Sequence, residues 1–286
     1  MKITTTINEL KNIIRAEKEN GLSVGFVPTM GYLHEGHLTL VSQAKQEQDL
    51  VVMSIFVNPL QFGPNEDFDS YPRDFERDEA LAREVGVDIL FYPSVEEMYP
   101  KEPTITMTVQ KRVNVLCGKK REGHFDGVVT VVSKLFNIVE PDVAYFGLKD
   151  AQQVAVIQGL VDDLSFSVEI RPVPTVREDD GLAKSSRNVR LTEDERKEAP
   201  IIYQTLLKMQ KQVQKNNMVI SDEIAQLMMN EFDEGKHGTL EYIEIYSYPE
   251  LESMKELKGK IIIAAAVQYK NARLIDNVIL TVEENE

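Results

Sequence analysis

The chain has 286 residues, 42% of them hydrophobic and 28% charged, and a formal charge of −15, the balance of a soluble globular protein of one large domain or two ordinary ones. That much negative charge argues against general affinity for nucleic acid or anionic membrane, which needs basic patches, and a single Cys excludes an internal disulfide framework and a Cys-only zinc site. There is no apolar run of the roughly 18 residues that a transmembrane helix needs, and the N-terminus lacks a signal-peptide core, so a mature cytoplasmic protein is expected.

The first two thirds alternate short apolar runs with helical patterns. Val24 to Val27 reads as a strand ended by Pro28, and Gly36 to Gln48 as a helix with Leu38, Val41 and Ala44 at helical spacing. Val51 to Val57 is a second buried strand, Asp74 to Glu84 a helix, and Asp88 to Phe91 a third strand. Val128 to Val139 reads as a helix, Val143 to Phe146 as a strand, Ala151 to Leu164 as a helix and Phe166 to Val173 as a strand. Apolar strands alternating with helices predict a parallel sheet covered on both faces.

After about residue 176 the grammar changes. Arg177 to Gly181 is polar and turn-prone, a candidate linker or hinge. Thr192 to Lys215 and Ser221 to Glu234 read as two helices, the first opened by Thr192 and Glu195 at capping-box spacing. Leu240 to Tyr246, Lys260 to Tyr269 and Arg273 to Val282 read as strands, the last two joined tightly through Lys270-Asn271-Ala272. The expected division is therefore an α/β domain over residues 1–176 and a small α+β domain over 177–286, with no internal repeats or low-complexity segment. Residues 110–190 hold 12 Lys+Arg against 11 Asp+Glu, a net +1, leaving −16 on the remainder. A locally cationic stretch in an acidic chain suits capture of a small anion.

Pro28-Thr29-Met30-Gly31-Tyr32-Leu33-His34-Glu35-Gly36-His37 lies between the first strand and the first helix. Ligands gather at such strand-to-helix turns in open α/β sheets, and the helix N-terminus is a ready anion site. Gly31 and Gly36 have the spacing of the two glycines of a phosphate-binding P-loop, half of that motif, but His37 and Leu38 stand where it needs Lys and Ser/Thr, so the P-loop reading fails. No G-x-G-x-x-G fingerprint occurs either. His34 and His37 are three apart, which on a helical first turn places them on one face. They could belong to a zinc site completed by further ligands, serve as polar residues at a helix start, or donate hydrogen bonds to a phosphoryl group as it is transferred. We favour the last. His-x-Gly-His after a first strand resembles the nucleotidyltransferase superfamily that includes the class I aminoacyl-tRNA synthetases.

Further segments narrow the resemblance. Val57-Asn58-Pro59-Leu60-Gln61-Phe62-Gly63 follows the second strand, and Glu122-Gly123-His124-Phe125-Asp126-Gly127-Val128 precedes a helix. Phe146-Gly147-Leu148-Lys149-Asp150-Ala151-Gln152-Gln153 joins a strand to a helix. Pro174-Thr175-Val176-Arg177-Glu178 leads to Gly181-Leu182-Ala183-Lys184-Ser185-Ser186-Arg187-Asn188. In this order and spacing, across nearly the whole chain, the set resembles the pantothenate synthetase (pantoate–β-alanine ligase) family.

That resemblance implies a Rossmann-like N-terminal domain with a C-terminal lid, a homodimer, and ATP and Mg²⁺. It implies that the pantoate carboxylate attacks the α-phosphorus of ATP to give pantoyl adenylate and pyrophosphate, after which β-alanine forms the amide and AMP leaves. It assigns His37 as general acid, with His34 and Lys149 beside it in catalysis. Met30, Gly31, His34, Gly36, His37, Gly147, Leu148, Lys149, Asp150, Val176, Lys184, Ser185, Ser186 and Arg187 become the expected ATP contacts. Gln61 and Gln153 become the pantoate contacts, and Gln61 also the β-alanine contact. Phosphoryl-group transfer is served by positioning and fixed donors, and a neutral amide can read hydroxyl and carboxylate together. Phe56, Val57 and Phe62 could pack the pantoate dimethyl group, and a lid joined through residues 177–183 could keep water from the adenylate.

The family has Met or Lys at the position of Lys184, so that side chain is expected to contribute little. Tyr32 departs from the pattern by standing where a small residue is usual, so its ring is expected to point away from the nucleotide. No Mg²⁺ ligand is assigned; Asp78 is the one carboxylate put forward, the ion otherwise resting on phosphates. The competing activities are another nucleotidyltransferase acting on a phosphate acceptor and a non-catalytic nucleotide sensor.

Overall fold

The structure is a computed structural model that describes residues 1–64, 66, 68–216 and 237–283. It divides into two compact units, Met1–Lys111 with Arg121–Leu148 and Val156–Pro174, and Arg112–Lys120 with Lys149–Ala155 and Thr175–Glu286.

The first unit is built on six parallel strands: β1 (Lys2–Thr4), β2 (Val24–Thr29), β3 (Leu50–Ile55), β4 (Ile89–Phe91), β5 (Val143–Gly147) and β6 (Glu169–Val173), in the order β1-β4-β3-β2-β5-β6. The helices of the N-terminal two thirds are α1 (Ile7–Glu19), α2 (Glu35–Glu47), α3 (Phe75–Glu84), α4 (Val95–Met98), α5 (His124–Val139) and α6 (Ala151–Leu164). Successive residues of a strand face opposite sides of a sheet, and both sides of β2 are covered. Val27 joins a core with Leu40, Val41 and Ala44 of α2 and Ala82 of α3. Phe26 meets Phe136 of α5 edge to face, with ring centres 6.5 Å apart. Two-sided burial is why these strands read as continuous apolar runs.

The strand order reverses at β2, which leads to β3 on one side and has β5 on the other. β2 pairs with β5 only at Gly25 and Phe26, although β2 runs on to Thr29 and β5 to Gly147. The two strands therefore separate toward their C-terminal ends, leaving a crevice at the topological switch point, where open α/β sheets bind ligands.

Pro28 does not end β2. It lies in register with Ser54 of β3, two residues beyond the last pairing with β5, so its missing N–H removes little from the ladder. The N-terminal segment, given no structure from its sequence, forms edge strand β1 beside β4 and the helix α1. Thr6 caps α1 and its Leu10 and Ile14 are buried, an i, i+4 pair.

The second unit holds an antiparallel sheet of β7 (Thr239–Ser247), β8 (Gly259–Gln268) and β9 (Arg273–Val282), in that order, close to the predicted strands. Helix α8 (Ile201–Asn216) packs its Ile202, Leu206 and Met209 into one core with Ile261 and Ile263 of β8. The single helix predicted over 192–215 is instead two, α7 (Glu193–Glu198) and α8. Pro200 separates them, because it lacks an N–H and its ring collides with the preceding turn. The Thr192–Glu195 capping box is present in both directions. The helix predicted over Ser221 to Glu234 lies outside the described residues. No helix among the described residues is long and apolar enough to cross a membrane.

Candidate active site

His34 is the N-cap of α2 and His37 its third residue. The Gly36 N–H donates to His34 Nδ1 at 3.1 Å and the His34 N–H donates to His37 Nδ1 at 3.4 Å, a reciprocal cap made by two imidazoles. The rings lie 4.0 Å apart, tilted by 31°. Because each Nδ1 accepts, the hydrogen-bond pattern assigns the neutral rings their proton on Nε2. The pair stands in the turn after β2, beside the switch-point crevice and at a helix N-terminus whose partial positive charge favours anions.

The turn itself is unusual backbone. Gly31 has φ +85° and Tyr32 φ +49°, two consecutive left-handed residues. Glycine takes that conformation without penalty, whereas tyrosine there is strained by about 1–2 kcal/mol. Asp78 of α3 holds the turn: the Tyr32 N–H donates to one carboxylate oxygen at 2.6 Å and the Leu33 N–H to the other at 2.7 Å. Its neighbour Arg77 lies over the Tyr32 ring, 4.9 Å from its centre. Burial pushes the Asp78 carboxyl above the usual aspartate range, opposed by the two N–H groups and Arg77. Each carboxylate oxygen is thus engaged by one main-chain N–H and keeps a further lone-pair direction. Among the described residues no group of three or more His, Cys, Asp or Glu could hold a metal ion.

Gln61 closes the short 3-10 turn Pro59–Gln61 after β3 and is buried. Its Oε1 accepts from Asn58 Nδ2 at 3.1 Å and its Nε2 donates to Met30 Sδ at 3.2 Å, so Met30 and Gln61 are in contact. Asn58, 1% exposed, also donates to the Gly127 carbonyl at 3.0 Å and accepts from Tyr99 Oη at 2.9 Å. His124 adds a second support through a 2.7 Å hydrogen bond between its Nδ1 and the Gln61 carbonyl, while Arg121 bridges His124 Nε2 at 2.9 Å to Glu66. Burial raises the Glu66 carboxyl, but the Arg121 guanidinium outweighs it and the net shift is downward. Asn58, Asp78, Arg121 and His124 have no site role in the sequence reading beyond Asp78 as a Mg²⁺ candidate. Asn58 and His124 do lie inside the motifs that carry the resemblance. Phe56 and Val57 line a cavity of about 550 Å³ with Met30 and Gly31, whereas Phe62 packs on Phe68 and Tyr71.

Gly147 ends β5 and Leu148 follows it, still in the first unit. The remaining candidates belong to the second unit. There the Lys149 carbonyl accepts from Asn277 at 3.0 Å, and Lys149 Nζ pairs with Asp150 at 3.5 Å. Lys149 and Ser185 line one small cleft with Asn188 and Asp276. In the Gln152–Gln153 pair the first side chain is structural, tying Cys117, Arg112 and Val115 by their main chains, while Gln153 stays half-buried in the first turn of α6. The stretch expected to be a linker forms a hairpin. The Lys184 N–H donates to the Val176 carbonyl, the Glu178 N–H to that of Leu182, and Arg177 makes a bidentate pair with Asp276 at 2.6 and 2.9 Å. Lys184 Nζ is 3.2 Å from Glu178, and the Arg187 N–H donates to Ser185 Oγ at 3.2 Å; Ser186 is buried.

Residues 2–279 match the Pantoate-beta-alanine ligase family. The chain belongs to that family. It is 60% identical over 285 residues to the pantothenate synthetase of Bacillus pumilus (strain SAFR-032), covering 100% of this chain and 98% of the relative. It is 56% identical to that of Bacillus subtilis (strain 168), covering 100% and 99%. Its fold matches the crystal structure of pantothenate synthetase from Thermus thermophilus with a TM-score of 0.90 at 45% identity, over 97% of this chain and 99% of that one. It also matches the pantoate-beta-alanine ligase of Francisella tularensis, solved in complex with beta-gamma ATP and β-alanine, with a TM-score of 0.80 at 35% identity over 98% and 97%. In a pantoate–β-alanine ligase, the supports around the paired imidazoles and Gln61 acquire a chemical reason, because adenylation depends on donors held in fixed places.

Proposed function

We propose that this protein joins pantoate to β-alanine with consumption of ATP, releasing pantothenate, AMP and pyrophosphate. A pantoate carboxylate oxygen attacks the α-phosphorus and the bond to the pyrophosphate oxygen breaks. The β-alanine amine then attacks the acyl carbon, loses a proton, and AMP leaves with the bonding pair. The observation that carries this reading is the imidazole pair at 4.0 Å, set on the N-terminus of α2 beside the switch-point crevice, in a chain of this family.

In the reaction, His34 and His37 donate from Nε2 to phosphate oxygens as charge moves onto the leaving group, and His37 is the general acid. Met30, Gly31, Gly36, Gly147, Leu148, Lys149, Asp150, Val176, Lys184, Ser185, Ser186 and Arg187 are proposed to contact ATP. Gln61 and Gln153 are proposed to bind pantoate, Gln61 also β-alanine. Mg²⁺ would neutralise phosphate charge and is proposed to arrive on the nucleotide. Residues 177–286 are proposed to serve as a lid domain, and the enzyme to act as a cytoplasmic homodimer.

The test is mass spectrometry of products after incubation with ATP, Mg²⁺, pantoate and β-alanine. Pantothenate and AMP in equal amounts are expected; ADP as the nucleotide product, or no pantothenate, would refute the proposal.

A further inference from the structure

We infer that Asp78 is a positioning residue for the adenylation step: by accepting the N–H groups of both Tyr32 and Leu33, its carboxylate sets the backbone that presents His34 and His37. The inference rests on the proposed ligase reaction and gives Asp78 a role exerted through the backbone of the turn.

The geometry is specific. Each carboxylate oxygen takes one N–H, at 2.6 and 2.7 Å, from residues 45 or more positions away in the chain. Asp78 is 1% exposed, so water does not compete for either bond. The main chain it grips holds two consecutive left-handed residues, a shape that surrounding structure must impose. A Cβ on Gly31 would lie 3.0 Å from an Asp78 oxygen, showing how closely the carboxylate is pressed against the turn. Asp78 itself is fixed by α3, whose Ala82 packs in the core beneath the sheet. One residue beyond the clamp stands His34, the N-cap whose ring position depends on the path of the turn. Asn at this position keeps the shape but turns an amide toward one N–H, leaving a buried donor facing a donor. The turn then relaxes and the imidazoles move with it. A misplacement of about 1 Å is enough to cost on the order of 10²-fold in rate.

The experiment compares wild type with Asp78→Asn in the two half-reactions. Pantoate-dependent exchange of labelled pyrophosphate into ATP reads the first; β-alanine capture of pantoyl adenylate preformed on the enzyme reads the second. The exchange kcat is expected to fall by about 10–100-fold, with the second half-reaction within twofold. A merely structural role would lower both in proportion to the folded fraction, and that result, or an unchanged exchange kcat, would overturn the inference. Amide hydrogen exchange of the wild-type enzyme keeps the test decisive if the variant does not fold. Tyr32 and Leu33 should be protected like the interior of α2, and exchange at open-loop rates would overturn the clamp. Absence of pantoate-dependent exchange in the wild type would instead sink the ligase reading, with the amide measurement still judging the clamp.

Discussion

A single methyl group at Gly127 should disable the Gln61 site. Gly127 lies in the first turns of α5, which pack directly against the 3-10 turn carrying Gln61. A Cβ there would meet the Leu60 carbonyl and would stand 2.6 Å from the Gln61 backbone nitrogen. Both obstacles are main chain, so no side-chain rotation relieves the clash. Ordinary carbon contacts begin at about 3.5 Å and the Leu60 carbonyl is nearer still, so α5 and the turn must part by more than about 1 Å. Overpacking of that kind costs about 1–3 kcal/mol, offset by the roughly 1 kcal/mol that Ala gains over Gly in a helix. Net stability therefore changes little, by about 0–2 kcal/mol on the same figures. Activity does not share the compensation. The shift also stretches the Asn58 Nδ2 bond to the Gly127 carbonyl, and Asn58 is what orients the Gln61 amide. Gly127→Ala is expected to melt close to wild type yet to lose about 10²-fold in kcat/KM for pantoate. Thermal unfolding and steady-state pantothenate formation measure the two sides. A variant with wild-type kcat/KM would refute the reasoning, because it would show that the turn can yield without moving Gln61.

Removing one donor from the imidazole pair, as in His37→Ala, should slow pantoate-dependent pyrophosphate exchange by about 10²–10³-fold and leave β-alanine capture of preformed adenylate nearly intact; single-turnover assays of each half check this. In the second unit, Arg177→Ala strips the partner from Asp276, which is 4% exposed, and breaking such a pair typically costs about 3–5 kcal/mol, a drop readable in the denaturant midpoint. The Glu66 carboxyl is held below its unfolded value of 4.5 by Arg121. Its stabilisation is therefore complete above that value and lost as pH falls through the lower folded value, and Glu66→Gln should flatten the acid side of a stability profile taken from pH 6 down to about 3. An unchanged acid limb in that variant would show that the Glu66–Arg121 pair does not hold the Gln61 turn.

Much of the architecture can be read locally. The strands of the parallel sheet are visible as apolar runs because both faces of β2 are covered, by Val27 on one side and Phe26 on the other. Proline misleads in both directions: Pro28 stands inside a strand that it seems to end in the sequence, and Pro200 divides what reads there as one helix. A missing N–H matters only where a partner needs it, and the chain alone does not say whether a neighbouring strand still pairs there. Gln152 and Gln153 are identical in type and adjacent, yet one is consumed by the main chain of residues 112–117. No pattern along the sequence separates them.

Interactions spanning three or four residues were settled by the sequence: the Thr192 capping box and the shared helical face of His34 and His37 each need only one turn of backbone. Tertiary structure alone decided that Asp78 grips the turn after β2, and that Asn58, Met30 and Gly127 converge on Gln61. Residues 112–120 and 149–155 likewise join the second unit through packing that no local signal announces. Propensity and capping act through hydrogen bonds a few residues long, whereas these placements depend on which distant surfaces exclude water together.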